Sequence, residues 1–399
     1  MGEQRACRLD VYDFGETAAV PVVKMAFGSE ASMEGARVGS ARYVVHFAEA
    51  SPADHSRLGG KCAGLATLIS AGAVVPTGFA VTTHAYTDML EAHALHGEIA
   101  KRAHRIVAED VGGQAAIARE IRELITAPPI PAEIAEAVRS GYRALCRQRS
   151  EGMPVAVRSS GTAEDLPDAS FAGQGDTYLW VVGEDAVLDR VKHCWASLFT
   201  ARAISYRAKQ GLGHLDLAMA VGIQNMVNAC AAGVAMSLDP SNGDRSKIVI
   251  ESTWGLGEPL VSGQITPDSF VLDKVLLEPV KRAIAPKLQE LVADPAARRT
   301  VMREVAPARQ KEPSLTDKQL RAVAQAVKAV EKALGAPQDV EWAIDAERRE
   351  DEGVVLLQSR PETVWSTKKV GSKPANAYAT GIEGVLSTLM SPLAARRGA

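Results

Sequence analysis

Residues 155–178 read VAVRSSGTAEDLPDASFAGQGDTY. The apolar triplet Val155-Ala156-Val157 runs straight into Arg158-Ser159-Ser160, an acidic polar turn follows, and the stretch ends in a small-residue loop, Ser170-Phe171-Ala172-Gly173-Gln174-Gly175. The triplet predicts a short buried strand with an arginine at its mouth. A guanidinium presents a two-pronged fork to phosphate oxygens, and glycines let backbone N–H groups approach the same oxygens. Strand, arginine and glycine loop are the parts of a polyphosphate cradle. The competing reading pairs Arg158 with Glu164 or Asp165 beside an ordinary turn.

A second segment gathers oxygen atoms. Asp339-Val340-Glu341-Trp342-Ala343-Ile344-Asp345 alternates with period two, which puts Asp339 and Glu341 on one face. Val354 to Arg360 is a second strand with Gln358 and Arg360 on one face, and Ala346 to Glu352 has turn composition. A hairpin centred at 349–350 sets Glu341 opposite Gln358 and Asp339 opposite Arg360. Such a patch of carboxylates and an amide oxygen suits Mg²⁺. The alternative is a surface hairpin whose cross-strand ion pair contributes less than about 1 kcal/mol.

The remaining segments frame these two. Tyr43 to Phe47 reads as a strand, and Gly59-Gly60-Lys61 precedes a helix with Leu65, Leu68 and Ile69 on one face. Residues 84–150 read as mostly helical, broken at Gly112-Gly113 and Pro128-Pro129. Valine-rich strands occupy 154–270 around one helix at about 185–209. A proline- and charge-rich connection at 285–315 precedes a helix capped by Thr316 and Gln319 and stopped at Gly335. The tail carries Lys368, Lys369, Arg396 and Arg397 around an apolar run, and reads as either a docking helix or a basic disordered segment.

With 399 residues, 46% hydrophobic and 23% charged, the composition is that of a globular protein. A formal net charge of −3 argues against a nucleic-acid surface. No apolar run approaches the roughly 18–20 residues of a membrane span, and Met1 to Arg5 opens without an apolar signal core. Cys7, Cys62, Cys146, Cys194 and Cys230 are scattered without a CxxC pair. They read as reduced thiols, so a cytoplasmic protein is expected.

Taken together, LGGKCAGL…GAVVPTGFAVTTHAY, the opening stretch, ESTWGLGE and QDVEWAID…LLQSRPET resemble the nucleotide-binding part of the phosphoenolpyruvate synthase and pyruvate phosphate dikinase family over about residues 43–365. The resemblance implies an α/β (α+β) fold of ATP-grasp type, two lobes with mixed sheets clamping ATP. The implied divisions are an extension at 1–40, a first lobe with a helical insert at 41–220, a second lobe at 221–365 and a tail from 366. In the family's roles, Lys61, Arg158, Thr177 and Arg360 meet phosphate, with Gly173 in the glycine loop. Gln224 and the backbone at Met226 flank adenine, Glu251 contacts ribose or purine, with Glu258 a weaker neighbour, and Glu341 and Gln358 bind Mg²⁺ with Asp339 a further metal candidate. Cys62 replaces a common glycine and places a thiol beside Lys61, a candidate oxidation-sensitive position. Gly175 stands where glutamine is frequent.

The family passes phosphate to a histidine on a swivelling domain. The eight histidines here (His46, His55, His84, His93, His96, His104, His193 and His214) include none in a Thr-Ser-His motif and none beyond 214. The resemblance therefore implies an ATP-binding subunit of a split dikinase-like phosphotransferase, cut from a larger machine. A partner protein would carry the phosphohistidine, AMP would be released, and the final acceptor would be a small molecule such as phenol or pyruvate. Phenylphosphate synthase has a separate subunit of this type. The competing functions are a self-contained ATP-grasp kinase releasing ADP and a regulatory nucleotide-binding subunit.

Overall fold

Valine-rich segments separated by glycine turns pair into two antiparallel sheets. The computed structural model describes residues 41–107, 109–148, 152–162, 175–210, 213, 217–349 and 353–365. The expected extension at 1–40, the glycine loop with Gly173, and the tail from 366 fall outside these residues. The chain divides into units Met1–Glu362 and Thr363–Ala399, and every element named below belongs to the first.

The first sheet contains β1 (Val44–His46), β2 (Gly78–Val81), β3 (Val155–Gly161), β4 (Thr177–Val181) and β5 (Met219–Asn225) in the order β1-β2-β5-β3-β4. The second contains β6 (Ala229–Met236), β7 (Lys247–Trp254), β8 (Asp268–Asp273), β9 (Pro279–Ala283), β12 (Gln338–Asp345) and β13 (Val354–Pro361) in the order β13-β12-β6-β7-β8-β9. A two-stranded ribbon, β10 (Gln289–Asp294) and β11 (Arg299–Glu304), fills the interval expected to be a plain connection. The two-lobed α+β class is as expected. The sheets are antiparallel where mixed sheets were expected: every strand pair described runs antiparallel. Most neighbours in the second sheet are consecutive strands on short connections, which only antiparallel pairing permits. The division drawn at 220/221 falls within β5, which belongs wholly to the first sheet.

Alternation in β3 decides its two faces. Val155 and Val157 point into a core with Phe79, Val81, Val221 and Ile223. That core is closed by α2 (Thr83–Ala92), α3 (Leu95–Ala103), α4 (Val111–Thr126), α5 (Ala132–Leu145), α6 (Glu184–Ala196) and α7 (Ala201–Gln210). The Gly112-Gly113 pair opens α4 instead of breaking a helix, because the Asp110 carboxylate accepts from Gly113 N–H at 2.9 Å and caps the first turn. The single helix expected at 185–209 is two, α6 and α7, separated by a tight 3₁₀ turn at Ser197–Phe199 whose residues are all buried.

In the second sheet the core face carries Ile248, Ile250, Phe270, Val340, Trp342 and Ile344, packed under Leu320, Val323, Val327 and Val330 of α9 (Asp317–Leu334). Each such side chain contributes about 1.5–3 kcal/mol on full burial. The predicted caps are present: Gln319 N–H donates to Thr316 Oγ1 at 3.2 Å, Thr316 N–H donates to Gln319 Oε1 at 3.0 Å, and Gly335 ends the helix at φ 72°. The ribbon is pinned at its base by a fully buried pair, Lys287 Nζ to Asp268 Oδ1 at 2.6 Å, whose other carboxylate oxygen accepts from Ser314 N–H at 2.8 Å. Gly255, at φ +70°, lets the Leu291 carbonyl approach to where a Cβ would be 2.3 Å away.

Helix α1 (His55–Ser70) touches both sheets. Leu58, Cys62 and Leu65 pack with Val45, Phe47 and Ala80 on the first sheet's other face, while Leu68 joins the second core. Among the described residues no helix is long and apolar enough to cross a membrane.

Candidate functional site

The hairpin has the register its alternation predicts: Glu341 lies opposite Gln358, and Asp339 opposite Arg360. Pairing extends this into rungs across the sheet. One rung reads Ser269, Glu251, Val234, Glu341, Gln358, and the next reads Val271, Val249, Met236, Asp339, Arg360. Directly paired residues share a face, so Glu251, Asp339, Glu341, Gln358 and Arg360 all lie on the face opposite α9. Below Glu341 the register shifts, and Trp342 pairs with Leu356, leaving Leu357 as a bulge residue. Asp339 Oδ1 is buried without a hydrogen-bond partner among the described residues. Burial, with the Glu341 charge adding to it, pushes the Asp339 carboxyl above the usual carboxylate range, and the Arg360 charge opposes this.

The first sheet supplies cations. Arg158 pairs with Gly222 on one side and Thr177 on the other, and Gln224 lies one rung along the same face, opposite Ala156. Gln224 is 3% exposed, and its Nε2 reaches Pro76 O at 3.4 Å. Met226 follows β5 immediately, and its N–H is taken by Pro154 O at 3.0 Å. Lys61 lies in the first turn after a kink at Gly59, where φ is +69°. A Cβ on Gly59 would lie 2.1 Å from Ser160 O, so only glycine permits this approach. Ser160 is fully buried, and its hydroxyl accepts from Cys62 N–H at 3.1 Å and donates to Leu58 O at 2.9 Å. This stitches the start of α1 to β3, and Lys61 Nζ donates to Ser159 O at 3.0 Å, next to Arg158.

Arg158 joins the two sheets. Its Nη2 donates to Glu341 Oε2 at 3.0 Å and Gln358 Oε1 at 3.1 Å, and Nη1 donates to the Leu357 carbonyl at 2.9 Å. The guanidinium and Glu341 side chains are only 16% and 21% exposed, so the pair is shielded from solvent. The alternative partners Glu164 and Asp165 lie outside the described residues. Two hard oxygens, a carboxylate and an amide, converge on one nitrogen, and oxygen donors of this kind are the ones magnesium prefers. Among the described residues no three His, Cys, Asp or Glu side chains gather into a metal cluster, so a cation here would draw on the amide oxygen and on phosphate.

Cys62 departs from expectation: it is 1% exposed and sits under Gly222, 3.0 Å from the position of a Cβ there. A thiol so enclosed is a packing group instead of an oxidation-sensitive one. Glu258 lies at the first position of the four-residue helix Glu258–Val261, beside the ribbon's base and outside the rungs. The close approach of Gly59 to Ser160, the Ser160 stitch and the anchoring role of the Leu357 carbonyl are not legible in the sequence. The one legible signal is the polar run Arg158-Ser159-Ser160 that continues the apolar start of β3.

Residues 55–380 match the family model described as pyruvate phosphate dikinase, AMP/ATP-binding domain. The chain belongs to this family. Among its curated relatives, the phosphoenolpyruvate synthase of Aeropyrum pernix is 41% identical over 340 residues, covering 78% of this chain and 41% of the relative. A rifampicin phosphotransferase of Streptomyces is 42% identical over 327 residues, covering 81% of this chain and 36% of the relative. The phosphoenolpyruvate synthase of Helicobacter pylori is 38% identical over 347 residues, covering 82% and 42%. The chain thus spans less than half the length of these relatives. Both faces that carry the convergent residues fall within the matched AMP/ATP-binding domain.

Proposed function

We propose that the chain is the nucleotide-activating part of a dikinase-type phosphotransferase. It binds Mg-ATP between its two sheets and sends the terminal phosphates to a histidine carried by a partner protein, releasing AMP. One phosphoryl group then passes to a small acceptor such as phenol or pyruvate. The observation that carries this reading is the Arg158 fork, which gathers Glu341, Gln358 and the first sheet's phosphate-binding candidates at one point.

Lys61, Arg158 and Arg360 would bind the triphosphate and neutralise charge on the transferred group, with Thr177 and Gly173 at the phosphates. Gln224 and the backbone at Met226 would hold adenine, and Glu251 the ribose. Glu341 and Gln358, with Asp339 beside them, would hold the metal, which when bound clamps phosphate oxygens. None of the strands of the second sheet carries a histidine to serve as acceptor. This supports an acceptor supplied by another protein or domain.

The test uses the full chain drawn from its native host and incubated with Mg²⁺ and ATP labelled at the β-phosphate. AMP with label on a second, co-purifying protein is expected. ADP with no labelled partner would replace this reading with a self-contained kinase. Glu341→Ala should abolish transfer at limiting Mg²⁺ while leaving the fold intact, and full activity of that variant would remove the metal assignment.

A further inference from the structure

The geometry points to a second role for Arg158, as the positioning residue that holds the metal ligands together and yields them only to an incoming polyphosphate. This rests on the reading of Glu341 and Gln358 as metal ligands. A single nitrogen, Nη2, stands 3.0 Å from Glu341 Oε2 and 3.1 Å from Gln358 Oε1. A divalent cation bound to both oxygens, at about 2.0–2.1 Å from each, competes with that nitrogen for the same lone pairs and repels its positive charge. Guanidinium and metal therefore oppose each other at the two ligands.

The way the guanidinium is seated shows why it stays and what releases it. Nη1 is anchored on the Leu357 carbonyl at 2.9 Å, the bulge residue next to Gln358, so three acceptors grip the fork at once. Nε, however, is buried without a hydrogen-bond partner among the described residues. The seat therefore satisfies the fork incompletely. A metal ion arriving alone must expel a buried guanidinium with no new anion to receive it, which carries a heavy desolvation cost. A triphosphate supplies that anion, with enough oxygens for Nε as well as both Nη atoms. Nucleotide and metal then bind with positive coupling, because the first removes the occupant of the second's site.

The hairpin supports the same division of labour. Glu341 and Gln358 are held side by side by the backbone ladder whether or not Arg158 is present, since their pairing is set by β12 and β13. Removing the guanidinium therefore frees the ligands without dispersing them.

The probe is Mn²⁺ alone, titrated against the full chain without nucleotide and read by the electron paramagnetic resonance signal of the free ion. Arg158→Gln removes charge and fork. Arg158→Lys keeps the charge but has a single nitrogen on a shorter, flexible stem, so it loses the separate Nη1 anchor on Leu357 O that fixes the fork between Glu341 and Gln358. Both variants should bind Mn²⁺ at least about tenfold more tightly than the unaltered chain, a coupling of ordinary size for linked sites. Adding Glu341→Gln to either should abolish the gain. If both variants match the unaltered chain, while Glu341→Gln alone weakens Mn²⁺ binding measured with a non-hydrolysable ATP analogue, the latch is refuted and the metal reading stands. If Glu341→Gln changes neither measurement, the metal reading falls and takes the latch with it. Far-ultraviolet circular dichroism identifies any variant that has lost its fold, and the other position-158 variant then carries the test.

Discussion

The two halves of the site are built by different means. On the second sheet, Glu341 and Gln358 meet because they are partners in a hairpin, and the backbone ladder between them does the positioning. On the first sheet, Lys61 and Arg158 come from segments almost a hundred residues apart, brought together where a glycine lets a helix start against a strand. The first half offers cations and the second mainly oxygens, so the proposed nucleotide site needs both. A ladder tolerates much change in its surroundings, whereas a close approach depends on one missing methyl group and one hydroxyl.

Substitutions can break this contrast in order of expected effect. Gly59→Ala should be the most damaging, at about 3 kcal/mol or more, because the new Cβ meets Ser160 O and the φ of +69° is strained for alanine. Urea unfolding measures the stability loss and an ATP titration the lost affinity. An unchanged midpoint would mean that the first half is not held by close approach.

Ser160→Ala should have a smaller effect, about 1–3 kcal/mol, since it leaves Cys62 N–H and Leu58 O without their buried partner. Because this stitch places Lys61, ATP affinity should fall while adenosine affinity holds. Equal losses for both ligands would make Ser160 a general packing residue.

Gly335→Ala sharpens the comparison from the other side. It should cost about 1 kcal/mol, as alanine enters the left-handed conformation that closes α9. ATP affinity should not change, because α9 covers the face of the second sheet away from Glu341. A matching loss of ATP affinity would show that the ladder half depends on its covering helix after all.

Much of the second half was legible in the sequence for a physical reason. Period-two alternation and a short turn determine which residues face each other, so Glu341–Gln358 and Asp339–Arg360 follow from counting. Even there, the Leu357 bulge is invisible to counting, and it presents the carbonyl that anchors Arg158. The caps of α9 were readable because Thr316, Gln319 and Gly335 act within their own helix. The β10–β11 ribbon was not, since it is pinned by Gly255 and the buried Lys287–Asp268 pair, both contacts between segments distant in sequence.

Most of the strands, the capped helix, the hairpin register and, through motifs spread along the chain, its family are readable from the order of residues. The packing of distant segments alone settles that Arg158 sits on Glu341 and Gln358, that Cys62 is a packing group, and that Ser160 holds the start of α1. Local periodicity is written into neighbouring residues. The partner of a buried donor is settled only when two distant surfaces meet and most polar groups between them must find a partner.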